Sequence, residues 1–305
     1  MKIFTHNFNP ESNSGPNKFT RTLFSNLVKE KDVSLSAQED ADVEFCLIQQ
    51  QVHKVKPMLL RLDGIWFNSD QDFKQQNAPI HFAYQNADAV VFQSQFNKRL
   101  TEAWFGEHKN SHVIHNAADD KLILAANKHF WNDKFDGSET EVWCCASSWR
   151  PHKRLNDNIA YFLEFAPPDA QLAIAGGLGM DEVKEIISLD NRIHVLGDLD
   201  YMSLLSLYKR STKFIHLAYL DHCPNVVVDA QASGCHIICS STGGTSEVVS
   251  DGTVIVEDEW DFKPTPLYKP PKIDFLKSVK VKRYDKKKEI KNCAQKYYNI
   301  MQDIS

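Results

Sequence analysis

Short apolar runs recur along the chain, separated by amphipathic stretches and polar loops. In the first third, residues 2–5 (KIFT), 43–48 (VEFCLI), 58–62 (MLLRL), 89–92 (AVVF) and 112–114 (HVI) predict short strands of the buried kind. Phe19, Leu23, Phe24 and Leu27 recur at helical spacing and predict a helix over 18–28, with another near 97–105. The second half is more regular. Apolar runs at 142–146, 170–177 (AQLAIAGG, with a glycine end), 213–220 (KFIHLAYL) and 236–241 (HIICSS) predict strands, and 192–199 (RIHVLGDL) a strand and loop. Helices are expected between them at 155–165, 181–188, 201–209 and 225–233, the last ended by Gly234. Strand and helix in alternation, with short links, are the pattern of a parallel sheet covered by helices on both faces. It occurs on both sides of a polar stretch at 120–140. Two α/β domains are therefore expected, 1–125 and 126–262. Four prolines in 263–272 predict an extended linker, and 286–304 reads as a closing helix, so 263–305 forms a third segment.

Composition refines this picture. A chain of 305 residues, 42% hydrophobic and 25% charged, is long enough for two well-packed cores. A net charge of -5 gives no global pull toward nucleic acid. No apolar run approaches the ~20 residues of a membrane-spanning helix, and MKIFTHNFNP turns polar too soon for a secretory signal. The seven cysteines lack metal-ligand spacing and read as reduced thiols, so a cytoplasmic location is expected and no metal site is. Between Lys263 and Lys291, eleven Lys/Arg face three Asp/Glu. This excess reads as a solvated linker or, alternatively, as a contact for an anionic surface such as a membrane face.

Open parallel sheets bind ligands outside the carboxyl ends of their strands, so the loops that follow strands carry the chemistry. In DHCPNVVVDAQASGC (221–235), seven residues separate Asp221 from Asp229. A helix is expected from Asn225, whose unpaired amides and dipole suit a phosphate. Asp229 lies one turn into it, on the face of Asn225. Both carboxylates are therefore expected to hold hydroxyls of one ligand. The alternative is a loop residue at 221 and, at 229, an acid paired with a buried lysine. The loop SSWRPHKRL (147–155) places Arg150 and Lys153 three apart, two cations able to neutralise a leaving diphosphate. The alternative there is an ordinary basic helix cap. Gly15, in the loop after the first strand, permits close approach of a phosphate or sugar. IAGGLGMD lacks the dinucleotide fingerprint, which disfavours a dehydrogenase. Asp198 and Asp200 in GDLD read as structural, with Asp200 as a helix N-cap.

In combination, HCPNVVVDAQASGCHIICSSTGGTSEVV, SSWRPHKRL, VFQSQF, VIHNAADD and RLDGIWF resemble glycosyltransferase family 4, retaining enzymes of the GT-B fold. Asp221 and Asp229 stand where that family usually has two glutamates, and Gly234, Gly243, Gly244 and Glu247 match the remainder. The resemblance implies two Rossmann-like parallel-sheet domains facing a cleft, with a C-terminal helix returning to the first. It implies a nucleotide-diphosphate sugar donor held mainly by the second domain and an acceptor hydroxyl on a glycan, lipid or protein. Retained configuration and front-face displacement would need neither cofactor nor metal. By carry-over, Arg150 and Lys153 meet the diphosphate, Asp221 with the amides of Asn225 and Val226 meets the sugar or its phosphate, and Asp229 meets the ribose. Gly15 approaches from across the cleft. Where the family often has a histidine on the acceptor side, LRLDG offers Asp63. His115 and Asn116 read as a hinge-packing pair. The two shorter acids also motivate a second expectation, a degenerate nucleotide-sugar-binding partner protein without turnover.

Overall fold

A computed structural model describes residues 1–12, 14–283 and 289–305. Among these residues, the strands form two separate sheets. The first comprises β1 (Lys2–His6), β2 (Ser34–Leu35), β3 (Val43–Leu47), β4 (Met58–Leu62), β5 (Ala89–Phe92) and β6 (Ser111–Val113), in the order β2-β1-β3-β4-β5-β6. All its pairings are parallel. β3, β4 and β5 are buried at every position, as their unbroken apolar runs require. Helices α1 (Gly15–Glu30), α2 (Phe73–Asn86) and α3 (Gln95–Phe105) accompany this sheet. α1 starts three residues before the expected start at 18, with Pro16 at a position where a missing N–H costs nothing.

The second sheet runs β13-β12-β11-β10-β7-β8-β9. Its members are β7 (Val142–Ala146), β8 (Gln171–Ala175), β9 (Ile193–Gly197), β10 (Lys213–His216), β11 (His236–Ser240), β12 (Asp251–Ile255) and β13 (Ser278–Lys282). Every pairing is parallel except β12 with β13. Helices α5 (Leu155–Phe165), α6 (Met180–Leu189), α7 (Tyr201–Arg210) and α8 (Asn225–Ala232) link the strands. The short α9 (Thr245–Val248) follows β11. Asp200 caps α7 by accepting from the Ser203 amide, the structural role its sequence position suggested.

Two boundaries differ from the sequence expectation. α4 (Asp120–Ala125) packs in the second core, where Ala118, Ile123 and Ala126 are buried, and Lys209 Nζ donates to the Ile123 and Ala126 carbonyls at its C-terminal end. The chain therefore joins the second domain before residue 125. The segment 263–305 is not all linker either, because β13 extends the second sheet antiparallel. Its alternating Ser-Val-Lys-Val-Lys leaves an edge strand rich in lysine, a common protection for an open sheet edge. The closing helix α10 spans Ile290–Ile304, and residues 286–288 of the expected helix lie outside the described residues. α10 buries Ile290, Cys293, Ala294, Tyr297, Ile300 and Met301 against α1 and the first core.

Candidate functional site

Each sheet reverses its strand order once, at β1/β3 and at β10/β7. The loops after β1, β4, β5 and β6 of the first sheet and after β7 and β10 of the second converge on a hollow of about 350 Å³ between the domains. This is where open parallel sheets leave room for a ligand. The second domain contributes Ser147, Ser148, Arg150, Lys153, His216 and the segment Asp221–Val226. The first contributes Gly15, Asp63, Gln93 and Asn116.

Arg150 is exposed and forms no ion pair among the described residues. Lys153 is different. Its ammonium lies 2.5 Å from Asp221 Oδ2, and His216 Nε2 lies 3.0 Å from the same oxygen. Burial would raise the Asp221 pKa, yet Lys153 and His216 outweigh it and hold the carboxyl well below its ordinary range. His216, buried at the end of β10, is pushed down by desolvation despite Asp221. Both contacts fall on Oδ2, and Asp221 Oδ1 accepts no hydrogen bond among the described residues. The site therefore holds one unpaired cation and one compensated pair, rather than two independent cations.

Asn225 opens α8, so its amide and that of Val226 belong to the helix's unpaired first turn. The Asn225 side chain spans the cleft, donating to the Gly15 carbonyl at 3.1 Å and accepting from Asn116 Nδ2 at 2.8 Å. A Cβ on Gly15 would meet only Asn225 Nδ2, at an ordinary 3.6 Å, so no protein group demands glycine there.

Asp229 departs from expectation. Asp221 lines the hollow, whereas Asp229 lies under α7, where Tyr201 donates to Oδ2 at 3.1 Å. Burial raises its pKa to about 6, opposed by the charge of Lys18 and the Tyr201 hydroxyl. Lys18, from α1 of the first domain, sits 3.4 Å above the Tyr201 ring, and burial lowers its pKa. The helical repeat does put Asn225 and Asp229 on one face. However, Asn225 turns outward at the open helix end while Asp229 meets the next helix. The two acids do not share the hollow, and the half-buried Lys18 acts on Asp229 through its charge but forms no ion pair with it among the described residues, so the alternative of a paired, buried lysine is met only in part.

Asp63 reaches the hollow from the first domain, ion-paired with the buried Arg61. Arg61 also donates to Asn116 Oδ1 at 2.9 Å, and Asn116 contacts Gln93 Oε1 and the Cys223 carbonyl, each at 3.0 Å. This buried polar chain fixes one domain against the other. Glu247 adds a second tie, accepting from the Gln95 and Phe96 amides at the start of α3. Packing at this seam is close. A Cβ on Gly244 would lie 2.0 Å from the His222 carbonyl, and one on Gly64 would meet the His222 ring at 2.4 Å. Sequence reading did not single out Arg61, Gln93 or His216, which carry no local signal; Asn116 has the hinge-packing role expected of it.

Residues 130–262 match the family model described as glycosyl transferases group 1. The matched span holds Arg150, Lys153, Asp221, Asn225, Val226 and Asp229. A curated relative, the GDP-mannose-dependent monoacylated alpha-(1-6)-phosphatidylinositol monomannoside mannosyltransferase of Corynebacterium glutamicum, is 25% identical over 189 residues. That alignment takes in 57% of this chain, which spans about half (50%) of the relative. Among solved structures, Anabaena HepE in complex with UDP and glucose superposes with a TM-score of 0.68 at 14% identity, covering 99% of this chain and 100% of that one. A glycosyltransferase from Rickettsia africae gives a TM-score of 0.66 at 16% identity, covering 99% and 98%. A sucrose-phosphate synthase from Thermosynechococcus elongatus gives 0.67 at 13%, covering 84% and 86%. The fold is GT-B, with paired parallel-sheet domains and a returning C-terminal helix.

Proposed function

We propose that this protein is a group 1 glycosyltransferase that moves a sugar from a nucleotide-diphosphate donor to an acceptor hydroxyl with retained anomeric configuration. The observation that carries the reading is the convergence of Arg150, the Lys153–Asp221 pair and the open start of α8 on one hollow at both strand-order reversals. The donor's bridging phosphates lie against Arg150, Lys153 and the amides of Asn225 and Val226, with Gly15 opposite. Asp221 Oδ1 accepts from a sugar hydroxyl, whereas Asp229, buried against Tyr201 of α7, stays outside the donor's hollow. Asp63 faces the acceptor. The bond from C1 to the phosphate oxygen breaks as the acceptor oxygen bonds C1 on the same face. The acceptor's proton passes to the departing phosphate oxygen. Fixed cations and the helix terminus stabilise the charge that develops there, a role that needs no metal or cofactor.

The acceptor class of the curated relative, named for a phosphatidylinositol mannoside, supports a site of action beside an anionic membrane face. The exposed Lys280, Lys282 and Arg283 supply the matching charge. No helix among the described residues is long and apolar enough to cross a membrane.

The test is a thermal-shift panel of nucleotide sugars including UDP-glucose and GDP-mannose, followed by nucleotide release with and without acceptor. A donor at a hundred times its Kd stabilises the fold by about 2.7 kcal/mol. Arg150→Ala should cut transfer by roughly 10²–10³-fold without lowering the melting temperature, since its charge meets no buried partner. Stabilisation without nucleotide release would instead identify a binding partner protein lacking turnover. A panel that leaves the melting temperature unmoved would sink the donor site itself.

A further inference from the structure

His216 belongs to none of the sequence motifs, yet its ring reaches the wall of the hollow. It is the last residue of β10, which lies between β7 and β11 inside the second sheet. The ring is 3% exposed and stacks on Phe214, with an interplanar angle of 14° and centroids 6.2 Å apart. Phe214, two residues earlier, stands on the same face of the strand and is fully buried. Strand and stacking together leave the ring little freedom. Lys153 is the opposite kind of partner. It ends the short turn Pro151–Lys153 and carries its charge on a flexible four-carbon stem.

The rigid ring and the flexible ammonium meet at one atom. Asp221 Oδ2 accepts from Lys153 Nζ at 2.5 Å and from His216 Nε2 at 3.0 Å. Burial and the charge of Lys153 lower the His216 pKa despite Asp221, so the ring is neutral. A neutral ring has one N–H and an ionised carboxylate only accepts, so the pairing puts the proton on Nε2. The side chains of Lys153 and Asp221 are 12% and 15% exposed, so water compensates neither charge well once the two separate. An anion entering the hollow competes with Asp221 for the ammonium. Without a second donor on Oδ2, Lys153 could turn to that anion only by stranding the carboxylate or by forcing it to take up a proton.

We propose that His216 is a positioning residue: its Nε2–H holds Asp221 charged and oriented through Oδ2 while Lys153 turns toward the phosphates of an incoming donor. The inference rests on the donor reading for the identity of the ligand; the competition needs only a phosphate anion. No other group around Asp221 fills the role. His152 and His222, pushed down by burial to about 3 and about 4, are neutral rings, and neither hydrogen-bonds Asp221 among the described residues. Arg150 lines the hollow but forms no ion pair among the described residues, and Asp63, from the first domain, is taken by Arg61.

The test is calorimetric titration of the full chain with UDP, GDP and inorganic pyrophosphate at pH 6, in two buffers of different ionisation enthalpy, so that protons taken up on binding are counted. His216→Leu removes the N–H and keeps the bulk; His216→Gln returns an N–H at nearly the same reach. His216→Leu should weaken binding of at least one of these phosphates by roughly ten- to a hundredfold, the worth of a hydrogen bond to a charged group. It should also take up more protons than wild type, because a carboxyl that loses its donor has a raised pKa. His216→Gln should stand close to wild type in both. In the Asp221→Asn background, which has no charge to hold, His216→Leu should add no proton uptake. Melting temperatures check folding, and His216→Met replaces a Leu variant that does not fold. If His216→Leu matches wild type in affinity and proton uptake, or weakens binding with no change in proton uptake, the ring only packs the end of β10 and the inference is overturned while the donor reading stands. If pyrophosphate binds with the expected dependence on His216 and neither nucleotide binds, the positioning role stands and the nucleotide-sugar reading fails. If none of the three binds, both fail.

Discussion

Asp221 and Asp229 are chemically identical and are driven in opposite directions by their neighbours. Lys153 and His216 keep Asp221 ionised, so its contribution to stability is present above the ordinary carboxylate range and lost as acid titrates it. Asp229 is held near 6 by burial, above the ~3.9 of an unfolded chain. The folded state then binds the extra proton between about pH 4 and 6, and stability conferred by the neutral acid is lost as pH rises through that window. Asp229→Asn should therefore gain stability relative to wild type as pH goes from 4 to 7, by on the order of a few kcal/mol at most. Urea unfolding at both pH values measures it; a pH-independent difference would contradict the assignment. The loop chemistry around these acids was legible in the sequence because strand–loop–helix order dictates which residues stand at a sheet's carboxyl edge. Their partners were not. His216 reads as one more strand residue, and Lys18 belongs to a helix of the other domain, so the contact exists only once both domains are assembled.

At the scale of elements, most regular units of the second half were readable to within a residue or two, as for α5 and β7, because their apolar runs are bounded by turn residues; β10 ends at His216, four residues short of the expected strand, and β12 was not singled out. α9 and β13 escaped for physical reasons. A four-residue helix has no periodicity to detect, and an edge strand rich in lysine resembles a solvated linker. α9 nevertheless carries Glu247, whose carboxylate covers two open amides of α3 and interacts with His115 at 3.3 Å. Burial raises the Glu247 pKa, but His115 and the two amides more than offset this and leave it lowered. Glu247→Ala removes a cap across a domain boundary. A cost of about 1–2 kcal/mol is expected, with Glu247→Gln intermediate because its single oxygen satisfies one amide. Thermal melting at neutral pH measures it; a variant as stable as wild type would mean that water replaces the carboxylate without penalty.

Across the whole molecule, the chain passes between domains after β6, again along residues 260–268, and finally into α10. The two-domain plan and the closing helix were visible in the sequence, because α10 repeats its apolar positions at three and four residues; its return to the first domain was implied only by the family resemblance. The closeness of the seam was not, since it depends on glycines at 64 and 244 meeting His222 from opposite lobes. Tyr297, fully buried in α10, packs its ring near Phe19 and Phe45, with centroids 6.3 Å away in each case. Tyr297→Ala should cost about 3–5 kcal/mol and lower the unfolding midpoint of the first domain before that of the second. Hydrogen exchange resolved by domain distinguishes this from uniform loss, which would show that the two cores melt as one.

The swap of α10 into the first lobe also has a bearing on biosynthesis. A growing chain exposes β1 to β6 early, yet the part of the apolar surface of α1 that packs on α10 stays uncovered until the whole second lobe and residues 290–304 have left the ribosome. The lobe made first is thus the one finished last, and a chaperone that shields nascent apolar surface would find its target in that interval.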